Sequence, residues 1–576
     1  MTHARILSML MLTAIVATAC AGPGPRAAER TDQGGPPATA PSRQLVVLTR
    51  GEPIALALRA FQTVGGGSYP HLVLNATFDD QDEHGKPFPV LPEALPQLNT
   101  DTWRLFPDGT METTYRLRPG IVWHDGTPLE AADFVFAWQI YANPASGTAA
   151  VPPVGEMQEV LAPDSRTVVI RWRRPYASAG AIAQRTQRGF GALPRHILEQ
   201  PYLQGPFDAF ANHPFWTDEY IGLGPYRLER WERGQEIAVV AFDRFALGRP
   251  KIDRLRILVA NDANAAVASL LSGDAHIALD YALQYPDGAI LQQQWADNRA
   301  GTVIFNPTLL WFGQIQHRPD LMSTPALADV RFRRALAHGM DKHGLNEALM
   351  GGTGVLTEGV LSPRAAYYAS IEPAIVKHPY DPLRAQQLLE EMGLQRGADG
   401  FYLGLDGRPF SLEIMSLSNP TWESEGTIIV EGYRRMGLNT AMRVLPSVLF
   451  GDGQARASFG AMQLTGGGGF ERGLGNNLTS VAISRPENRW QGSNRGAWSN
   501  LEYDRLWEQY NTTLDLPGQI EVMAQMERLQ TTEVPTIFMY YTPTITPFVA
   551  GLVGPRVRTG EQADTLLRIW EWEWRS

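Results

Sequence analysis

At 576 residues the chain is too long for a single hydrophobic core, and two or three domains are expected. Hydrophobic residues at 44% and charged residues at 19% give an ordinary globular composition with ample core material. The formal net charge of −10 leaves no basic footprint for a phosphate backbone, which argues against nucleic-acid binding.

Near the N-terminus, Arg5 precedes an apolar run over 6–19, short for a bilayer span and suited to a signal peptide. Ala17-Thr18-Ala19-Cys20 resembles a lipobox, in which the cysteine is lipidated and becomes the new N-terminus. Cys20 is the only cysteine, so no intrachain disulfide is possible. Residues 21–43 are rich in Ala, Gly and Pro and lack large apolar side chains, as a flexible tether would. The expected order is a signal peptide (1–19), a lipidated Cys20 with its tether (20–43), and a soluble body held outside the cytoplasmic membrane.

Strand and helix signals then alternate. Residues 45–48 read as a short apolar strand. Thr113, Tyr115 and Leu117 alternate with polar neighbours as in a half-buried strand, ended by Pro119-Gly120. Asp125-Gly126 makes a turn. Thr127 and Glu130 have capping-box spacing before a helix whose Phe134, Trp138 and Tyr141 share a face. Strands are expected at 226–228 and 236–242, and a helix over 263–271 closed by Ser272-Gly273. Asp329 can cap a helix through Phe332, Ala335 and Leu336. Asp381-Pro382 opens another, with Ala385, Leu388, Leu389 and Met392 as its buried stripe and Gly393 as its stop. Val522, Met526 and Leu529 mark a late helix, followed by a strand over 534–541. Trp570, Trp572 and Trp574 alternate as an all-Trp strand face.

The stretch over 115–138, with Trp123-His124-Asp125-Gly126-Thr127-Pro128 at its centre, closely resembles a signature of the oligopeptide/dipeptide/nickel-binding family of bacterial solute-binding proteins (extracellular solute-binding family 5). Further blocks resemble that family in the same order. They are Gly222-Leu223-Gly224-Pro225-Tyr226, Leu270 through Ala278, Asp329 through Asp341, Tyr380-Asp381-Pro382, Ser499 through Asp504, and Glu533-Val534-Pro535-Thr536-Ile537. The resemblance spans roughly residues 45–550. It implies an α/β, periplasmic-binding-protein-like two-lobed fold of the large type II class, with an extra subdomain in the first lobe. The first lobe is expected at 44–59, 173–280 and 533–576, its subdomain at 60–172, and the second lobe at 281–532.

No catalytic constellation stands out. Gly-x-Ser-x-Gly and His-Glu-x-x-His do not occur, and Gly85-Lys86 is followed by Pro87, which is no phosphate loop. His317, His338 and His343 lack metal-ligand spacing, and His124 within the signature reads as structural. The run Gly466-Gly467-Gly468-Gly469 is either a flexible loop or backbone approaching a ligand closely. In peptide-binding relatives this region carries a Trp and an Asp, and the Asp holds the peptide's ammonium group. Here Thr465 and the glycines stand in its place, with Phe470 beside them and Glu471 as the nearest acid. An amine would lack its partner, whereas Arg472 is either a solvated residue or a holder of an anionic group. Further cleft candidates are Trp311 and Gln314, Trp490, and Gln62, Ser68 and Tyr69 in a Gly-rich loop.

The resemblance, with these features, implies a monomeric, lipid-anchored, non-enzymatic component of an ABC importer, without cofactor or metal. It would capture a peptide or other small solute in an interlobe cleft and deliver it to permease subunits, in a periplasm or on the outer face of a single membrane. A sensor of a peptide or cell-wall fragment is the alternative on the same fold, and an extracytoplasmic hydrolase the rival from another class.

Overall fold

The computed structural model describes residues 43–57, 70–147, 149, 151–182, 189–260, 262–488, 490–559 and 565–575. The expected signal peptide, Cys20 and nearly all of the tether lie outside the described residues, as do Gln62, Ser68 and Tyr69.

Strand β1 (Gln44–Thr49) is followed by a small antiparallel sheet of β2 (Trp103–Leu105), β3 (Met111–Arg116), β4 (Met157–Asp164) and β5 (Thr167–Trp172), in the order β2-β3-β5-β4. The later strands join β1 in a sheet of eleven. They are β6 (Tyr226–Glu232), β7 (Glu236–Ala241), β8 (Arg254–Val259), β9 (Ile277–Ala278), β10 (Gly301–Ile315), β11 (Val355–Leu356), β12 (Leu412–Leu417), β13 (Thr440–Leu445), β14 (Met462–Gly467) and β15 (Thr536–Val549). The order is β13-β12-β14-β10-β15-β9-β1-β8-β7-β6, with β11 on β15. β1 runs parallel to β8 and β9, and β12 runs parallel to β13 and β14. Helical crossovers make the parallel pairings possible. The helices used below are α1 (Ala131–Tyr141), α2 (Ala263–Ser272), α3 (Tyr285–Ala296), α4 (Pro382–Glu391), α5 (Pro420–Met436), α6 (Gly453–Ala457) and α7 (Phe470–Leu478).

The two long strands β10 and β15 pair antiparallel from Gly301–Val549 to Gln314–Thr536. The first half of β10 and the last half of β15 pack Phe305 and Ile545 with Val46, Leu48, Leu291 and Trp295. The last half of β10 and the first half of β15 enter other cores. Trp311 and Tyr540 pack with Ile414, Val430 and Met462, while Leu310, Phe312 and Tyr541 pack with Phe470 and Leu474. A further core joins Leu45 and Val47 of β1 to Tyr115, Phe134 and Trp172 of the small-sheet region. Where the pair passes between cores, Pro307 stands opposite Pro543, next to a register shift.

Two local expectations are corrected. Glu130, not Thr127, precedes α1: its N–H donates to the Asp133 carboxylate at 3.1 Å. Thr127 belongs to the preceding turn, where its N–H donates to Asp125 at 2.9 Å. The Trp stripe is not a strand face. Ile569–Glu571 is a 3₁₀ turn and only Glu573–Trp574 is strand, while Trp570 and Trp572 are buried in the core that holds β1. Among the described residues no helix is long and apolar enough to cross a membrane.

Candidate functional site

A cavity of about 660 Å³, counting its open mouth, lies where β10 and β15 cross between cores. Tyr281 and Tyr285 line one side, Trp422 and Glu425 of α5 the other, and Trp311 and Tyr540 project from the crossing strands. Asn419 caps α5, its side chain accepting from the Thr421 N–H at 3.0 Å, and Pro420 occupies the first turn. That start sets Trp422 and Glu425, three residues apart, on one face.

Glu425 is 2% exposed. The Trp311 Nε1–H donates to one carboxyl oxygen at 2.5 Å, and the Tyr540 hydroxyl meets the other. Burial pushes this carboxyl up to about 7, against the opposing pull of the two hydrogen bonds. Trp311 also stacks on Trp422, with ring centroids 5.1 Å apart, a contact worth about 1 kcal/mol beyond its buried area. Tyr281 is held at φ 66°, a left-handed conformation that costs about 1–3 kcal/mol in a residue other than glycine.

The glycine run is shaped by aromatic rings. Gly466 and Gly467 end strand β14 and Gly469 precedes α7. A Cβ on Gly466 would lie 2.7 Å from the Trp311 ring, one on Gly467 3.1 Å from Phe312, and one on Gly469 2.3 Å from the Tyr541 hydroxyl. The Gly468 carbonyl accepts from Asn477 at 3.1 Å. Phe470 is buried against Tyr541 and donates its N–H to that hydroxyl at 3.1 Å. Glu471 receives the Tyr367 hydroxyl. Arg472 lies in α7, and its side chain is outside the described set. β12 pairs with β14 only at Ile414–Met462 and Met415–Gln463. From Leu464 onward that edge of β14 has no strand neighbour among the described residues.

On the opposite face of β10, Gln314 stands across from Gln463. The Gln314 side chain donates to the Ser493 carbonyl at 2.8 Å and accepts from the Arg495 N–H at 3.0 Å. Thr465, buried, accepts from Arg456 at 3.2 Å. Trp490, at φ 60°, lays its carbonyl where a Cβ on Gly453 would come within 2.2 Å. Trp311 thus belongs to the cavity, while Gln314 and Thr465 lie on the other face, tied to Arg495 and Arg456, and Trp490 stands apart against Gly453.

Glu425, Arg456 and Arg495 are the residues that sequence reasoning missed. His124 ties the signature turn to the next strand, accepting from the Gly222 N–H at 3.2 Å and meeting the Gly224 carbonyl at 3.0 Å. Burial holds its imidazole down at about 4. Among the described residues no group of three or more His, Cys, Asp or Glu could hold a metal ion.

A sequence profile of the bacterial extracellular solute-binding proteins, family 5 (middle region), matches residues 93–475. The chain belongs to that family. The first relatives matched, from Brucella, are 24% identical over 331 residues, and the family-5 chain spans 58% of their length. The dipeptide-binding protein of Escherichia coli K12 is 23% identical over 483 residues, 79% of this chain and 82% of that protein. Among solved structures, NikZ from Campylobacter jejuni in complex with Ni(L-His) aligns at a TM-score of 0.75 and 20% identity, over 92% of this chain and 100% of that one. The family-5 protein has the two-lobed fold of type II periplasmic binding proteins.

Proposed function

We propose that this protein captures a peptide or other small solute between two lobes and delivers it to the permease of an ABC importer. The cavity at the strand crossing carries this reading, because its walls come from both sides of β10 and β15. A solute held there would touch both cores, and it can favour closure only through contacts better than those of water. The unpartnered edge of β14 suits an extended peptide added as a strand, in keeping with the name of the E. coli relative. The nickel–histidine complex in NikZ is a reminder that fold does not choose the solute.

In this reading the first lobe comprises 44–59, 173–280 and 533–576 with its subdomain at 60–172, and the second lobe 281–532. Packing of α3 on Val46 and Leu48 favours moving the second boundary to the crossing near Pro307. Cys20 carries the lipid anchor that keeps the monomer outside the cytoplasmic membrane, and no covalent step is involved. The test is native mass spectrometry of the protein purified from its own membranes in mild detergent, joined to small-angle scattering with and without added solute. A retained small mass and a smaller radius of gyration are expected. An empty protein whose radius of gyration no peptide or other solute alters would overturn the reading.

A further inference from the structure

Enclosed arginines in this protein are otherwise matched to acceptors: the buried Arg558 pairs with the Asp280 carboxylate, and Arg318 and Arg333 are satisfied by carbonyls. Arg318 donates to the Arg495 carbonyl at 2.6 Å and to that of Ser484. Arg333 donates to the carbonyls of Glu533, Leu327 and Ala328 at 2.8–3.0 Å. Arg456 and Arg495 break the pattern. Among the described residues the Arg495 guanidinium has no hydrogen-bond or ion-pair partner, and its Nε is sealed from solvent. Arg456 has a sealed Nε as well, and among the described residues its guanidinium bonds only to Thr465. The two side chains are half-buried and repel each other. A guanidinium keeps its charge at any ordinary pH, so burial here leaves two cations uncompensated.

Gln463 completes the cluster. It lies two residues before Thr465 on β14, hence on the same face, and directly across from Gln314, whose side chain holds the Arg495 N–H. Gln463 is fully buried, and among the described residues both its amide nitrogen and its amide oxygen lack a partner. Arg318 pins the segment that carries Arg495, so the site is held from behind. Among the described residues no carboxylate pairs with either arginine. Buried polar groups left this way call for an occupant.

We propose that Arg456, Arg495, Gln463 and Thr465 form an oxyanion subsite that takes a carboxylate or phosphate group of the solute. Its oxygens would accept from the two guanidinium groups and the Gln463 amide nitrogen. The Gln463 amide oxygen would take a neighbouring O–H or N–H of the same solute. The assignment rests on the capture reading for its role in uptake, and on these residues alone for anion binding.

The test is thermal unfolding of the full chain with inorganic phosphate, succinate or neutral succinamide, at an ionic strength fixed with chloride. Phosphate or succinate should raise the Tm by several degrees and succinamide should not. Arg495→Gln should weaken the anion about tenfold or more, while its ligand-free Tm equals or exceeds that of wild type, because an uncompensated charge is gone. Gln463→Glu supplies an internal anion, and should raise the ligand-free Tm and abolish the shift. Absence of a shift with both anions, a shift that both variants retain, or a less stable ligand-free Arg495→Gln protein would each overturn the subsite. Closure around a neutral solute without any anion response would sink the subsite and leave capture standing. An anion shift lost in the variants, without closure on any solute, would support the subsite and sink capture.

Discussion

Substituting Glu425 by Gln probes the acid in the cavity wall. Its ordinary value is 4.5 and burial lifts it to about 7. The native state therefore binds a proton that the unfolded state releases. The resulting stabilisation is fully present below pH 4.5 and is lost as pH rises through about 7. The lift amounts to about 3 kcal/mol, of which roughly 2–3 kcal/mol falls between pH 5 and pH 8. Glu425 is 2% exposed, so little solvent screening reduces that figure. Gln keeps the neutral form's pattern: its carbonyl can accept from Trp311 and its amide can donate to the Tyr540 oxygen. Urea unfolding of both proteins at the two pH values isolates the effect by subtraction. The subtraction is needed because other groups titrate as well. Glu527 is raised to about 7 by burial and adds to the same trend. His124 and His317 are half-buried and held low by desolvation, so they oppose folding as pH falls below 6.5. Wild type should lose about 2–3 kcal/mol more than Glu425→Gln on going from pH 5 to pH 8. Equal losses in the two proteins would refute the reasoning.

Gly466→Ala should destabilise by about 1–3 kcal/mol, because its Cβ would lie 2.7 Å from the Trp311 ring; chemical denaturation measures it, and near-neutral stability would mean the ring is free to move. Asp280→Asn should cost about 3–5 kcal/mol, since Asp280 makes two bonds of 2.6 Å to the buried Arg558; a loss under 1 kcal/mol in the same assay would contradict this. Tyr540→Phe removes one of the two donors that hold the Glu425 carboxyl down. The fall in stability with rising pH should move to higher pH, and an unmoved transition would count against the hydrogen bond.

Local signals were legible where they are decided locally. The strand at Gln44–Thr49, helix α2 with its Asp262 cap and helix α4 with its Asp381 cap were readable because period and cap lie within a dozen residues. The capping box at α1 was misplaced by three residues because Thr127 and Glu130 both suit the position, and tertiary contacts of the turn decide between them. The site was less legible. Trp311 and Glu425 are 114 residues apart, and a Glu in a polar helix start reads as solvated until Trp311 is seen beside it. The glycine run was visible as an oddity, but its cause lies in the rings of Trp311, Phe312 and Tyr541 on other strands. Arg456 and Arg495 look like ordinary surface arginines in their own segments; only enclosure without a counterion distinguishes them.

Pro307 and Pro543 face each other at the strand crossing, and proline has no N–H to donate. The ladder of β10 and β15 extends on either side of that pair, with a register shift next to it, and carries no cross-strand amide donor at it. The ribbon is therefore a flexure: two stiff plates joined by a thin web. Bending at the web breaks no backbone hydrogen bond, because none is there to break. A hinge built this way has low stiffness in one direction and keeps its alignment in the others, so a weakly held solute could still move it.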